Sequence, residues 1–108
     1  MTKVVVSPEA EGDLHEIALY IAAAQPAAAR RLILSFKELC GQLGATPHIG
    51  PVRDFGLPEP EGVRMMPVPG FANYLVFYRV SDDASRVEIW RLTDGRRDLP
   101  NLLADWSE

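Results

Sequence analysis

Between Val63 and Asp98 lies VRMMPVPGFANYLVFYRVSDDASRVEIWRLTDGRRD, three strand-length runs rich in β-branched and aromatic residues with only two turn signals between them, Pro69-Gly70 and Ser81-Asp82-Asp83-Ala84-Ser85. Connections this short let neighbouring strands pair antiparallel without a crossover, so a β-meander is expected. Along the middle run Tyr74, Val76, Tyr78 and Val80 alternate with Leu75, Phe77 and Arg79. Both faces are largely apolar. Such a strand belongs in the centre of a sheet, with one face under a helical layer and the other under something else, another protein included.

The residues before the meander supply that helical layer. Lys3-Val4-Val5-Val6 is a short β-branched run that ends at Ser7-Pro8-Glu9. Ser7 can cap exposed backbone N–H groups, Pro8 fits the first helical position, and Glu9, Glu11 and Asp13 complement the positive end of the helix dipole. Ala10, Leu14, Ile17, Ala18 and Ile21 then recur at helical spacing, and the helix is expected to end near Ala24 because Gln25 precedes Pro26. Pro26 opens a second helix with the stripe Ala29, Leu32, Ile33, Phe36, Cys40 and Leu43, Gly44 being its expected C-cap before Thr46-Pro47. A link this short folds the helices into an αα-hairpin. From His48 to Gly62 the prolines and glycines predict a loop pinned by Phe55 and Leu57. After the meander, Asp98 is placed to cap a short helix carrying Leu99, Leu102, Leu103 and Trp106. The predicted architecture is α+β: N-terminal strand, helical hairpin, three-stranded antiparallel meander and short C-terminal helix.

Length bounds this to one domain, residues 1–108. Hydrophobic residues make up 47% and charged residues 24%, which argues for a folded globule. A net charge of −4 argues against whole-surface binding to nucleic acid, although a local basic patch is compatible with it. With a lone cysteine, Cys40, and an opening without a secretory cleavage pattern, a reducing cytoplasm is the expected location. The apolar helical run Ile17 to Ala24 is far short of a bilayer span, so no membrane role is expected. No pair of His, Cys, Asp or Glu shows metal-ligand spacing, and neither metal nor cofactor is expected.

Five segments carry a resemblance: the opening VVVSPEAEGDLHEIALYIA, the second-helix end LCGQLGATPHIGPVR, the strand start Val63-Arg64, the segment YLVFYRV and the ending VEIWRLTDGRRDLPNLL. In this order and spacing the chain resembles the RelE/ParE superfamily of toxins from bacterial type II toxin-antitoxin systems over nearly its whole length. The hairpin broken at Pro26 and the segment DLHEIALYIA look closer to the ParE branch. The resemblance implies a ParE-like toxin that binds DNA gyrase and traps it with broken DNA. RelE-like members instead cut messenger RNA on the ribosome. Both are neutralised by an antitoxin whose flexible tail lays apolar side chains over the hairpin and sheet, so a hetero-oligomer with a ParD-like or similar antitoxin is implied, with Leu14, Ile17, Ile21, Leu32, Phe36, Tyr74 and Tyr78 as its contacts.

Chemistry weighs the two branches. Cutting RNA by 2'-hydroxyl attack needs a proton acceptor, a proton donor and cations for the phosphorane-like transition state. Arg64, Arg79, Arg91, Arg96 and Arg97 could supply the cations. The acid and base are missing: Asp94 stands where many family members have His, neither His15 nor His48 falls in the meander, and only Trp106 lies where several ribonuclease members end in tyrosine. The chain is therefore read as a gyrase-binding toxin without catalytic residues, its target contacts drawn from Arg64, Arg79, Trp90, Arg91, Arg96 and Arg97. The alternatives are a RelE-like messenger RNA endonuclease and a degenerate toxin that keeps only antitoxin binding. For any single arginine the plain alternative is a solvated ion pair with Asp82, Asp83, Glu88 or Asp98. Tyr74, Tyr78, Phe77 and Trp90 are expected in core packing, Gly95 at a positive φ in a turn, and Glu9, Glu11, Asp13 and Glu16 on a solvated helix face.

Overall fold

The computed structural model describes residues 2–52 and 62–95. They form β1 (Lys3–Val6), α1 (Pro8–Ala22), α2 (Pro26–Ala45), β2 (Arg64–Val68), β3 (Phe71–Val80) and β4 (Arg86–Asp94). The fold is α+β, as the sequence pattern predicts. Phe55, Leu57 and the expected C-terminal helix from Asp98 lie outside the described residues.

The meander forms as expected, with β2 antiparallel to β3 and β3 antiparallel to β4. Gly70 takes φ 81° in the first turn, a conformation costly for any residue with a Cβ. In the second turn Asp83 Oδ1 accepts hydrogen bonds from Ser81 Oγ at 2.8 Å, Ser85 N at 3.0 Å and Ser85 Oγ at 2.7 Å. β1 completes the sheet by lying parallel to β4, giving the order β1-β4-β3-β2. β3 is thus interior, as its two apolar faces require. Trp90 is an extra residue in β4, since Tyr78 pairs with Ile89 and Phe77 with Arg91.

Both helices lie on one face of the sheet. Ser7 caps α1: its Oγ accepts from Ala10 N at 3.0 Å and donates to the Trp90 carbonyl at 2.7 Å, tying the helix start to β4. Ala10, Leu32, Phe36, Leu39 and Leu43 pack on Val68, Val76, Tyr78, Val87, Ile89 and Leu92 to form the main core. On the opposite face Val63 and Phe77 are buried with Met65, Leu75 and Trp90 around them. The alternation read along β3 accounts for this division, with Val76 and Tyr78 on the helical side and Phe77 on the other.

Two expected helix ends shift. α1 stops at Ala22, and the corner closes with the Gln25 N–H donating to the Ile21 carbonyl at 2.8 Å. Gly44 is not a C-cap but an interior residue of α2, which runs on to Ala45. A Cβ on Gly44 would sit 3.2 Å from the Thr2 carbonyl and 3.3 Å from Val4 Cγ2, so the missing side chain lets α2 pass close over β1.

Candidate functional site

Among the described residues two concave regions exceed 100 Å³. The larger, of about 650 Å³, lies at the hairpin corner between Tyr20, Ile21, Ala24, Ala28 and Arg31 on one side and Phe71 and Tyr74 of β3 on the other. Its shape follows from the sequence. The alanines around Gln25-Pro26 leave a shallow wall, Tyr20 stands 79% exposed beside it, and Phe71 with Tyr74 provides an aromatic floor. Among the described residues Arg31 is its one cation, so the groove suits an apolar segment bearing a carboxylate.

The smaller region, of about 280 Å³, lies where β2 begins and β3 ends, and His48, Arg64, Arg79 and Asp82 line it. Arg64 Nη1 donates to the Gly50 carbonyl at 2.6 Å and the His48 carbonyl at 3.3 Å. Gly50 N–H in turn donates to the Tyr78 hydroxyl oxygen at 2.8 Å. Burial raises the Tyr78 pKa, while the Gly50 hydrogen bond and the nearby Arg64 charge oppose the rise. Loop, β2 and β3 are thereby locked into one wall.

Among the described residues the predicted target contacts do not gather into a single patch. Arg91 is engaged by Asp13 of α1 through Nε to Oδ2 at 2.7 Å and Nη2 to Oδ1 at 2.9 Å, so Asp13 belongs to the helix–sheet junction and not to a solvated helix face. Arg64 braces the loop, Arg79 is exposed, and Trp90 is half-buried on the side of the sheet away from the helices. Arg96 and Arg97 lie outside the described residues. Arg64 and Arg79 form no ion pair with Asp82, Asp83 or Glu88 among the described residues, and Arg86 lies 4.0 Å from Glu88. Gly95 shows no positive φ; a Cβ there would come within 2.8 Å of Leu75 Cδ1, so contact explains the glycine.

Of the predicted antitoxin contacts, Ile21 and Tyr74 meet at the groove. Leu14 and Ile17 pack half-buried against the core, and Leu32, Phe36 and Tyr78 are inside it. Tyr20, Ala24, Arg31 and Phe71 are groove residues that helical periodicity does not single out. The run Ala22-Ala23-Ala24 before Gln25-Pro26 is the signal that could have marked a concave corner. His48 is likewise distant in sequence from the arginines it meets. Among the described residues no group of three or more His, Cys, Asp or Glu could hold a metal ion.

This sheet order under a helical hairpin has solved counterparts. The chain is similar to a chromosomal ParDE toxin-antitoxin system from P. aeruginosa, with 20% identity over 87% of this chain and 96% of that one, at a TM-score of 0.69. It is also similar to the RelBE2 toxin-antitoxin complex from Mycobacterium tuberculosis, with 24% identity, 86% and 96% coverage, and a TM-score of 0.54. The isolated E. coli RelE toxin matches with 12% identity over 98% of each chain, at a TM-score of 0.57. At these identities the shared property is the RelE/ParE fold. No curated protein matches the chain in sequence. A family model described as the ParE toxin of the type II toxin-antitoxin system parDE matches residues 4–99. The chain therefore belongs to the ParE toxin family of type II toxin-antitoxin systems.

Proposed function

We propose that residues 1–108 form one ParE-like toxin domain that inhibits DNA gyrase by docking, and that a cognate ParD-like antitoxin holds it inactive. The observation that carries this reading is the match to the ParE family across residues 4–99. The arginine contacts support it against the ribonuclease alternative. Arg91 is taken up by Asp13 and Arg64 by the His48 and Gly50 carbonyls, so both have structural work apart from any phosphorane. Among the described residues no helix is long and apolar enough to cross a membrane, which suits action in the cytoplasm.

The antitoxin reading rests on the corner groove. An antitoxin tail placing apolar side chains on Tyr20, Ile21 and Tyr74 and a carboxylate against Arg31 would cover apolar surface that is otherwise open. A hetero-oligomer of toxin and antitoxin follows. The deciding experiment adds the purified chain to gyrase and measures DNA supercoiling with and without the antitoxin. Inhibition relieved by the antitoxin is expected. Unchanged supercoiling with ribosome-dependent cuts in messenger RNA would replace this reading with a RelE-like one, and antitoxin binding without either activity would mark a degenerate toxin.

A further inference from the structure

We infer that the outer face of the helical hairpin, turned away from the sheet, binds a second copy of this chain, with α1 of each copy lying against α2 of the other. Folding leaves two large aliphatic side chains of this face in water: Leu19 of α1 is 58% exposed and Leu34 of α2 is 59% exposed. Both stand opposite the buried stripe of their own helix. Small residues lie two turns away along the same sides, Gly12 before Leu19, and Ala27 and Gly41 on either side of Leu34. A Cβ at Gly12 or Gly41 would meet nothing within 4 Å, so these positions are open and let another helix approach closely.

Exposed leucines by themselves name no partner; the charges beside them do. α1 carries Glu9, Glu11, Asp13 and Glu16 with no lysine or arginine, whereas α2 carries Arg30, Arg31 and Lys37 against Glu38 alone. Glu9, Glu16, Arg30 and Lys37 are exposed and make no ion pair among the described residues. A face with one acidic and one basic helix complements a rotated copy of itself. A twofold axis parallel to the helices lays each α1 antiparallel on α2 of the other copy and makes every contact twice. Residues equally far from the Gln25-Pro26 corner then share a height. Leu19 comes level with Arg30 of the second copy, and Glu16 falls between Arg30 and Lys37 of the second copy, about one helical turn from each. Leu19 and Leu34 of the second copy pack between these charges. With 15 residues in α1 the face is about 22 Å long and two helices wide, which by area gives a weak, reversible dimer.

Analytical ultracentrifugation of the full chain, at concentrations up to about 1 mM, tests this. A monomer–dimer equilibrium that weakens as salt is added is expected. Leu34→Glu, Glu16→Lys, and Arg30→Glu combined with Lys37→Glu should each weaken the dimer about tenfold or more, because every substitution acts twice about the axis. Leu34→Met should keep it. An equimolar mixture of the Glu16→Lys chain with the Arg30→Glu, Lys37→Glu chain should recover the dimer, since each α1 again meets an α2 of opposite charge, and a folding defect in either chain would not allow that recovery. A chain that stays monomeric, a dimer indifferent to Leu34→Glu, or charge variants that gain nothing on mixing would overturn the interface. Weakened antitoxin binding by the Leu34→Glu chain, with no dimer of the unsubstituted chain, would assign the face to the antitoxin and overturn it as well. None of these outcomes bears on supercoiling, so the dimer and the gyrase reading fail separately.

Discussion

Asp13 of α1 grips Arg91 of β4 through two short hydrogen bonds, 2.7 and 2.9 Å, and its Oδ2 also accepts the Leu92 N–H at 3.1 Å. The side chains are only 13% and 19% exposed, so the pair is shielded from water far more than a surface ion pair. Asp13→Ala removes all three acceptor contacts where α1 meets the sheet. A loss of about 2 to 3 kcal/mol is expected in urea denaturation. A change below about 0.5 kcal/mol would show that this contact adds no more than a solvated pair.

Gly50 is expected to tolerate no side chain. A Cβ there would lie 2.7 Å from the Tyr78 hydroxyl, 2.8 Å from Met66 Cγ and 2.9 Å from the Met65 carbonyl. Gly50→Ala should cost about 1 to 3 kcal/mol through overpacking. Gly12 on α1 is the contrast, with open space for 4 Å around the position a Cβ would take. Gly12→Ala should stabilise by up to about 1 kcal/mol, because alanine is the better helix former. Thermal melts of both variants check the pair of signs.

Burial pushes the Cys40 thiol from 9.0 up to about 11. The thiolate is the reactive form, so alkylation of the folded chain at pH 8 should be much slower than that of the denatured chain. The unfolded thiol ionises first as pH rises. Stability from this group is therefore complete below pH 9 and declines as pH climbs toward 11. Equal alkylation rates for folded and denatured chain would contradict this burial.

The turn between β3 and β4 carries an acid-sensitive clasp. Hydrogen bonds from Ser85 and Ser81 lower the Asp83 carboxyl from 3.8 to about 2. A depressed carboxylate contributes stability above its unfolded value and loses it as pH falls through the folded one, here from about 4 down to about 2. An NMR titration should find Asp83 ionised at pH 3, and Ser85→Ala should return it toward 3.8.

The corner groove predicts where the antitoxin is felt. Ala24 is exposed at its wall, so Ala24→Trp should fill the groove without disturbing the core and weaken antitoxin binding by tenfold or more, about 1.4 kcal/mol. Tyr20→Ala should cost about 2 kcal/mol of binding as the loss of an aromatic anchor. Calorimetric titration with the antitoxin reads both; unchanged affinity in folded variants would move the antitoxin elsewhere.

What the sequence determined by itself was local. The stripes Ala10 to Ile21 and Ala29 to Leu43, the Ser7 cap, the Pro26 break and the alternation from Tyr74 to Val80 each reside within one element, where period and backbone sterics suffice. They made the helices, the meander and the interior position of β3 legible, and the ordered segments made the family legible. Only the tertiary structure decided which distant residues meet. β1 lies parallel on β4, Gly44 serves a crossing and not a cap, and Asp13 leaves its acidic neighbours to hold Arg91, 78 residues away. The same folding brings His48 to Arg64 and Arg79, and Tyr20 to Tyr74. Such meetings depend on sheet order and helix packing, which no local periodicity encodes, so Leu32, Phe36 and Tyr78 read as contact candidates along the chain and stand in the core once it folds.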